Sequence, residues 1–303
     1  MVRVAALLFI ACTTALTEEP ARVVTFGRSY LSDPLPASDK GYLLFLDHSN
    51  GVEVWGPDGQ LAFQTRVNNP SSSHVMSAAI DRDGSVAVGL AYDRSGGIAV
   101  LDRSGKQVRF TETGRYLPAH ICFDSAHNLW TFGWQRDGVQ SDAEDAEDYM
   151  LFRKYSADGK QLGAFISRSL FPRPGLSPGS PSGGLWRLRV SDDRVGAVAY
   201  AGRTSETHEW IELSLEGRLI GRWKTGPGKS GGMAFTSSNA LCRQRIDREL
   251  SQLECFDRES KAWKPSGNDS PYFGILLGAD GNDLIFGNGG GNIRLSRVRI
   301  PLP

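Results

Sequence analysis

The chain has 303 residues, 40% of them hydrophobic, and its 34 basic side chains balance 34 acidic ones. Without net charge it lacks the broad basic field that displaces counterions from nucleic acid, so no nucleic-acid partner is expected. Thirty-five glycines and a rich supply of Trp, Tyr and Phe favour many short strands joined by tight turns over long helices.

Residues 1–16 have the pattern of an export signal: Arg3 is basic, Val4 to Ala11 is apolar, and small residues run from Cys12 to Ala15. The run is shorter than the roughly 20 residues a membrane-spanning helix needs, and no later segment is a candidate span. Phe9-Ile10-Ala11-Cys12 also forms a loose lipobox, so a lipid anchor at Cys12 is the alternative to simple cleavage. The expectation is an exported protein, periplasmic or extracellular or held at a membrane as a lipoprotein, with one soluble, monomeric domain over 20–303.

Two kinds of hairpin alternate along that domain. The first is an apolar strand, a turn ending in Gly plus a polar residue, and another apolar strand. It runs over Val54–Phe63, Val100–Phe110, Phe152–Phe165 and Ile211–Trp223, with a degenerate copy at Leu253–Trp263. Gly59, Gly105, Gly159 and Gly217 stand where such a turn needs positive φ. The second hairpin occupies Ala79–Val88, Cys122–Phe132, Arg189–Val198, Ala234–Cys242 and Leu277–Phe286, with Asp81, Asp124, Thr236 and Ala279 marking its turn.

Together the two hairpins give four strands, A to D, in a repeat of about 45 residues, the arithmetic of a propeller blade. The predicted fold is therefore an all-β propeller of about six four-stranded blades. The blades fall near 41–67, 75–111, 119–167, 184–224, 231–265 and 272–300, and the first strand of blade 1 is unplaced. Blade 6 is one strand short, and Arg22–Phe26 is predicted to supply it and close the ring. Phe123–Phe132 and its echo at Gly278–Phe286 resemble the NHL-type repeat of bacterial six-bladed propellers, with Asn128 and Asn282 matching its turn Asn. Blades 4 and 5 depart from that pattern. The resemblance implies the fold. Its family includes protein-binding scaffolds, and related propellers include lactonases and other hydrolases.

Cys242 and Cys255 flank a hairpin centred near Arg248 and Glu249, which sets them opposite each other and within disulfide reach. Cys122 lies in an apolar stretch and is expected as a small buried side chain.

Long loops at Trp134–Asp148 and Ser167–Gly183 fall on the face shared by the B–C and D–A connections, where binding usually lives. At the channel mouth on that face the inner strands would present His74, Ser77, His120, Trp186, Arg187, Lys229, Ser230 and Tyr272. These suit an anionic or sugar-like ligand, or a loop of a protein partner. The acidic loop Asp142–Asp148 lacks the ligand order of a calcium loop, two histidines do not make a zinc site, and no cofactor or catalytic motif is present. Two functions follow: a non-catalytic scaffold binding a protein or carbohydrate through its loop-bearing face, or a hydrolase or lactonase, with or without a metal, at the channel mouth.

Overall fold

The two hairpins share one turn geometry, and its chemistry explains the repeat. At Asp102–Lys106 the Asp102 amide donates to the Lys106 carbonyl and the Gly105 amide to the Asp102 carbonyl, each at 2.9 Å. This is a type I turn closed by a residue in the left-handed region, which glycine occupies without steric cost. Gly59, Gly105, Gly159 and Gly217 hold that place at φ of 80, 83, 89 and 88°. The strand after each of these turns carries one extra residue, Ala62, Val108, Leu162 or Ile220, bulged out of the ladder. Such bulges sharpen the twist of an outer strand.

The computed structural model describes residues 22–26, 37–39, 41–46, 51–68, 73–135, 148–171, 188–199, 208–225, 229–247, 250–266, 274–289 and 293–299. Strand β1 (Arg22–Phe26) comes first. Blade 1 holds β2 (Ala37–Asp39), β3 (Tyr42–Leu46), β4 (Gly51–Trp55) and β5 (Leu61–Arg66). Blade 2 holds β6 (His74–Ile80), β7 (Val86–Tyr92), β8 (Ser95–Leu101) and β9 (Gln107–Gly114). Blade 3 holds β10 (Tyr116–Phe123), β11 (Leu129–Gln135), β12 (Met150–Tyr155) and β13 (Gln161–Ser167). Blade 4 holds β14 (Arg189–Val190), β15 (Arg194–Ala199), β16 (Glu209–Ser214) and β17 (Leu219–Lys224). Blade 5 holds β18 (Lys229–Phe235), β19 (Leu241–Asp247), β20 (Leu250–Asp257) and β21 (Ala262–Pro265). Blade 6 holds β22 (Ile275–Asp280), β23 (Asp283–Gly289) and β24 (Ile293–Arg299).

Each sheet is four-stranded, and in blade 6 the fourth, outermost strand is β1. The inner strands β2, β6, β10, β14, β18 and β22 touch in succession, and β22 returns to β2. The chain is therefore a six-bladed β-propeller. Closure follows the sequence prediction, with β1 antiparallel to β24 and Val24 opposite Leu295. The strand the sequence left unplaced in blade 1 is the three-residue β2. One marker moves: Asp280, not Ala279, opens the turn of blade 6. Ala279 lies inside the ladder opposite Leu284, and Asp280 faces Asp283 across a two-residue turn.

The core lies between blades. In two first-type hairpins the closing aromatic reaches the turn glycine of the next blade: Phe63 lies beneath Gly105 and Phe165 beneath Gly217, where any Cβ would strike the ring. Further round, Trp223 meets Phe256 at 5.2 Å and Phe256 meets Trp263 at 5.3 Å between centroids. Within blade 5, Cys242 and Cys255 are paired across β19 and β20 and joined by a disulfide. It is buried among Ala234, Leu253, Leu276 and Phe286. The next pair along the ladder, Arg243 and Glu254, is a buried ion pair that Arg245 joins at 3.1 Å. Cys122 is buried, as expected, and takes no part in the disulfide. No helix among the described residues is long and apolar enough to cross a membrane.

Candidate functional site

The six turns between first and second strands gather at one end of the central channel. Three of them repeat the geometry above, with Asp81, Asp124 and Thr236 amides bonded to the Ser85, Asn128 and Ala240 carbonyls at 2.7, 2.9 and 3.0 Å. Gly84, His127 and Asn239 take the left-handed position at φ of 86, 63 and 68°. Asn and, less often, His tolerate that region. The first residue of each turn ties its own backbone. Asp124 Oδ1 accepts from the Ala126 amide (3.0 Å) and the Asn128 amide (2.9 Å). Thr236 Oγ1 accepts from the Ala240 amide (3.0 Å), and Ser191 Oγ from the Arg194 amide (3.1 Å).

The same turns clasp one another around the ring. His127 Nδ1 of blade 3 lies 2.6 Å from Asp81 Oδ2 of blade 2. Ser191 Oγ of blade 4 donates to Asn239 Oδ1 of blade 5. The Ser238 amide donates to Asn282 Oδ1 of blade 6 at 3.0 Å, and the Ser237 amide to the Gly281 carbonyl at 2.9 Å. A residue at or near the left-handed position of one blade thus reaches the turn of the preceding blade.

These turns surround an open cup of about 380 Å³ to which all six blades contribute. Phe123, Val190 and Phe235, each the last ladder residue before its turn, and Ala279, one residue before Asp280, form the apolar part of the lining. Tyr42, Arg82, Ser125, Ser191, Asp192, Ser237 and Asp280 supply the polar part. Beneath it Arg189 crosses from blade 4, donating Nη2 to the Leu277 carbonyl at 2.6 Å and Nε to the Met233 carbonyl at 3.3 Å. Those carbonyls lie two residues below Ala279 and Phe235, so Arg189 floors the cup on the side of blades 5 and 6.

The acids of the cup differ in state. Burial opposes ionisation of Asp124, but the Asn128 amide and side chain, the Trp130 indole (3.1 Å) and Lys154 (3.3 Å) outweigh it and hold the carboxyl below its ordinary value. Asp280 is paired with Arg297 Nη1 at 2.6 Å. Asp192 and Arg82 are both exposed, and neither side chain pairs with a described residue. His127, at the rim, has its pKa raised by its hydrogen bond to Asp81 and by that carboxylate's charge. Among the described residues no three His, Cys, Asp or Glu side chains converge as metal ligands.

The described residues among those singled out in the sequence lie away from the cup. His74 begins β6 at the opposite end of the channel and is exposed. Ser77 and His120 are buried, and each follows a bulge in its inner strand, opposite Gly89 and Phe132 respectively. Each stands four residues before the residue that opens its turn, Asp81 and Asp124, in adjoining blades. Ser77 Oγ is buried without a hydrogen-bond partner among the described residues, and the ring of His120 stacks near Phe132 at 6.3 Å. Lys229 and Ser230 lie in β18. Trp186, Arg187, Tyr272 and most of the two long loops lie outside the described residues. Sequence reasoning passed over Arg82, Ser125, Asp192 and Ser237. Their one signal is a shared place, just after the polar residue that opens each turn.

No protein-family profile and no curated protein matches the chain. Solved structures do. A PQQ-bound aldose sugar dehydrogenase from Streptomyces coelicolor is 14% identical with a TM-score of 0.52, covering 92% of this chain and 98% of its own. A luciferin-regenerating enzyme is 12% identical with a TM-score of 0.52, covering 93% and 98%. Virginiamycin B lyase from Staphylococcus aureus is 15% identical with a TM-score of 0.51, covering 93% and 89%. At such identities the likeness is one of fold.

Proposed function

We propose that the chain is an exported, non-catalytic binding propeller that seats a small polar ligand in the cup. The observation that carries this is the cup itself, to which six separate turns bring apolar and polar groups together at one end of the channel. Its volume is in the range of small-molecule sites, which combine apolar walls with a few placed polar groups. The state of its acids favours binding over turnover. Asp124 and Asp280 are committed to structural partners. Asp192 is exposed to solvent with no described histidine, cysteine or lysine beside it in the lining, and no described pair of lining residues forms a nucleophile with its base. Export is supported by the buried Cys242–Cys255 disulfide, since such bonds persist in oxidising compartments. A carbohydrate remains within the ligand range, as does the end of a protein chain.

Saturation-transfer NMR of the full chain against monosaccharides, disaccharides and dipeptides tests the proposal. Some member of the panel should bind, and Ser125→Trp, which fills the cup from an exposed position, should abolish that signal. Binding that survives Ser125→Trp would move the site elsewhere, and silence across the panel would remove the cup from consideration.

A further inference from the structure

We infer that the cup selects a short zwitterionic peptide, its C-terminal carboxylate on Arg82 and its N-terminal ammonium on Asp192. This rests on the reading of the cup as a binding site. Four charged side chains line it, Arg82, Asp124, Asp192 and Asp280. Two are already neutralised, Asp124 by Lys154 and Asp280 by Arg297. Among the described residues one cation on blade 2 and one anion on blade 4 are left, and blade 3 lies between their attachment points on the rim. An anionic ligand would meet Asp192 and a cationic one would meet Arg82. A ligand with both charges at its two ends satisfies both walls.

The remaining lining fits the same chemistry. Ser125 on blade 3 and Ser237 on blade 5 add hydroxyls that can bond peptide amides and carbonyls. Phe123, Phe235 and Val190 provide an apolar floor for one or two side chains. A cavity of about 380 Å³ limits the length to a few residues. Capture of chain ends by placed charges is a known recognition mode, and a guanidinium meets a carboxylate through two parallel hydrogen bonds.

Isothermal titration of the full chain with Ala-Phe, its N-acetyl form, its C-amide form and a disaccharide decides the matter. Free Ala-Phe should bind, and either cap should weaken it about tenfold, the loss of one charge-assisted contact. In Arg82→Gln the C-amide should bind as well as the free peptide, and in Asp192→Asn the N-acetyl form should. Both positions are exposed, so the variants keep the fold. Equal binding of capped and free peptide, or binding of the disaccharide alone, overturns the zwitterion inference and leaves the cup as the site. Failure of all four probes, with no signal from any panel compound that Ser125→Trp removes, overturns both.

Discussion

His127 Nδ1 of blade 3 and Asp81 Oδ2 of blade 2 meet at 2.6 Å, joining two blades at the rim of the cup. The carboxylate is buried and the imidazole is half-exposed. Asp81 raises the His127 pKa, with Asp83 adding to the effect and Arg82 opposing it. A raised folded value means the clasp is fully present below the unfolded histidine value of about 6.5 and fades as pH rises through the folded one. His127→Asn keeps a side chain suited to positive φ while removing the charge. The melting temperature of the native chain should exceed that of His127→Asn at pH 5.5, and the gap should shrink towards pH 8.5. A gap independent of pH would show that the contact carries no ionic contribution.

Cys242 and Cys255 lie directly opposite on neighbouring strands, with 13 residues of separation. Closing a loop of this size restricts the unfolded chain, and losing the bond should cost about 3 kcal/mol. The double variant Cys242→Ala, Cys255→Ala should show that loss in denaturant unfolding. Non-reducing peptide mapping should recover the two cysteines as one linked pair, and buried Cys122 should alkylate only after denaturation.

Gly217 and Gly114 both have positive φ, at 88° and 63°, but only Gly217 has a ring against it. Alanine at Gly114 meets nothing within 4 Å and should cost only the backbone strain, about 1 kcal/mol. Alanine at Gly217 drives a methyl into Phe165 and should cost about 3 kcal/mol through overpacking as well. Comparable losses at the two sites would mean that Phe165 moves aside freely and does not lock blade 3 to blade 4.

The Phe165–Gly217 contact also shows why the fold was legible before the structure. The glycine recurs at a fixed place in the repeat because the turn requires it, and that repetition carried the fold. The ring that meets it recurs only in part: Phe63 and Phe165 reach the next blade's glycine and Phe110 does not. Cys242 and Cys255 were legible for a related reason, since counting outward from a hairpin turn gives antiparallel register. The cup was not legible. Arg82, Ser125, Asp192 and Ser237 are single polar residues in turns on four separate blades, indistinguishable in sequence from solvated turn residues. The long insertions directed attention to the opposite face instead. Nor does sequence reveal the bulges that precede Ser77 in β6 and His120 in β10, because a bulge changes register without changing composition.

Ring closure yields the last prediction. β1 lies antiparallel to β24, with Arg22 opposite Arg297 and Phe26 opposite Ile293. It therefore occupies the place a fourth strand would take after a turn following Arg299. Deleting residues 22–26 should leave the β24 edge unpaired and open to pairing with other chains. Size-exclusion chromatography with light scattering should then show concentration-dependent association, and the melting temperature should fall. A circular permutant that begins after Phe26 and joins Arg299 to Arg22 through a short glycine-containing turn keeps every pairing and only changes the connection. It should stay monodisperse, with a melting temperature near that of the native order. If the permutant associates as the deletion does, the strand's covalent position matters and not its pairing with β24. If both behave as the native chain does, blade 6 is stable with three strands and β1 is not the element that closes the ring.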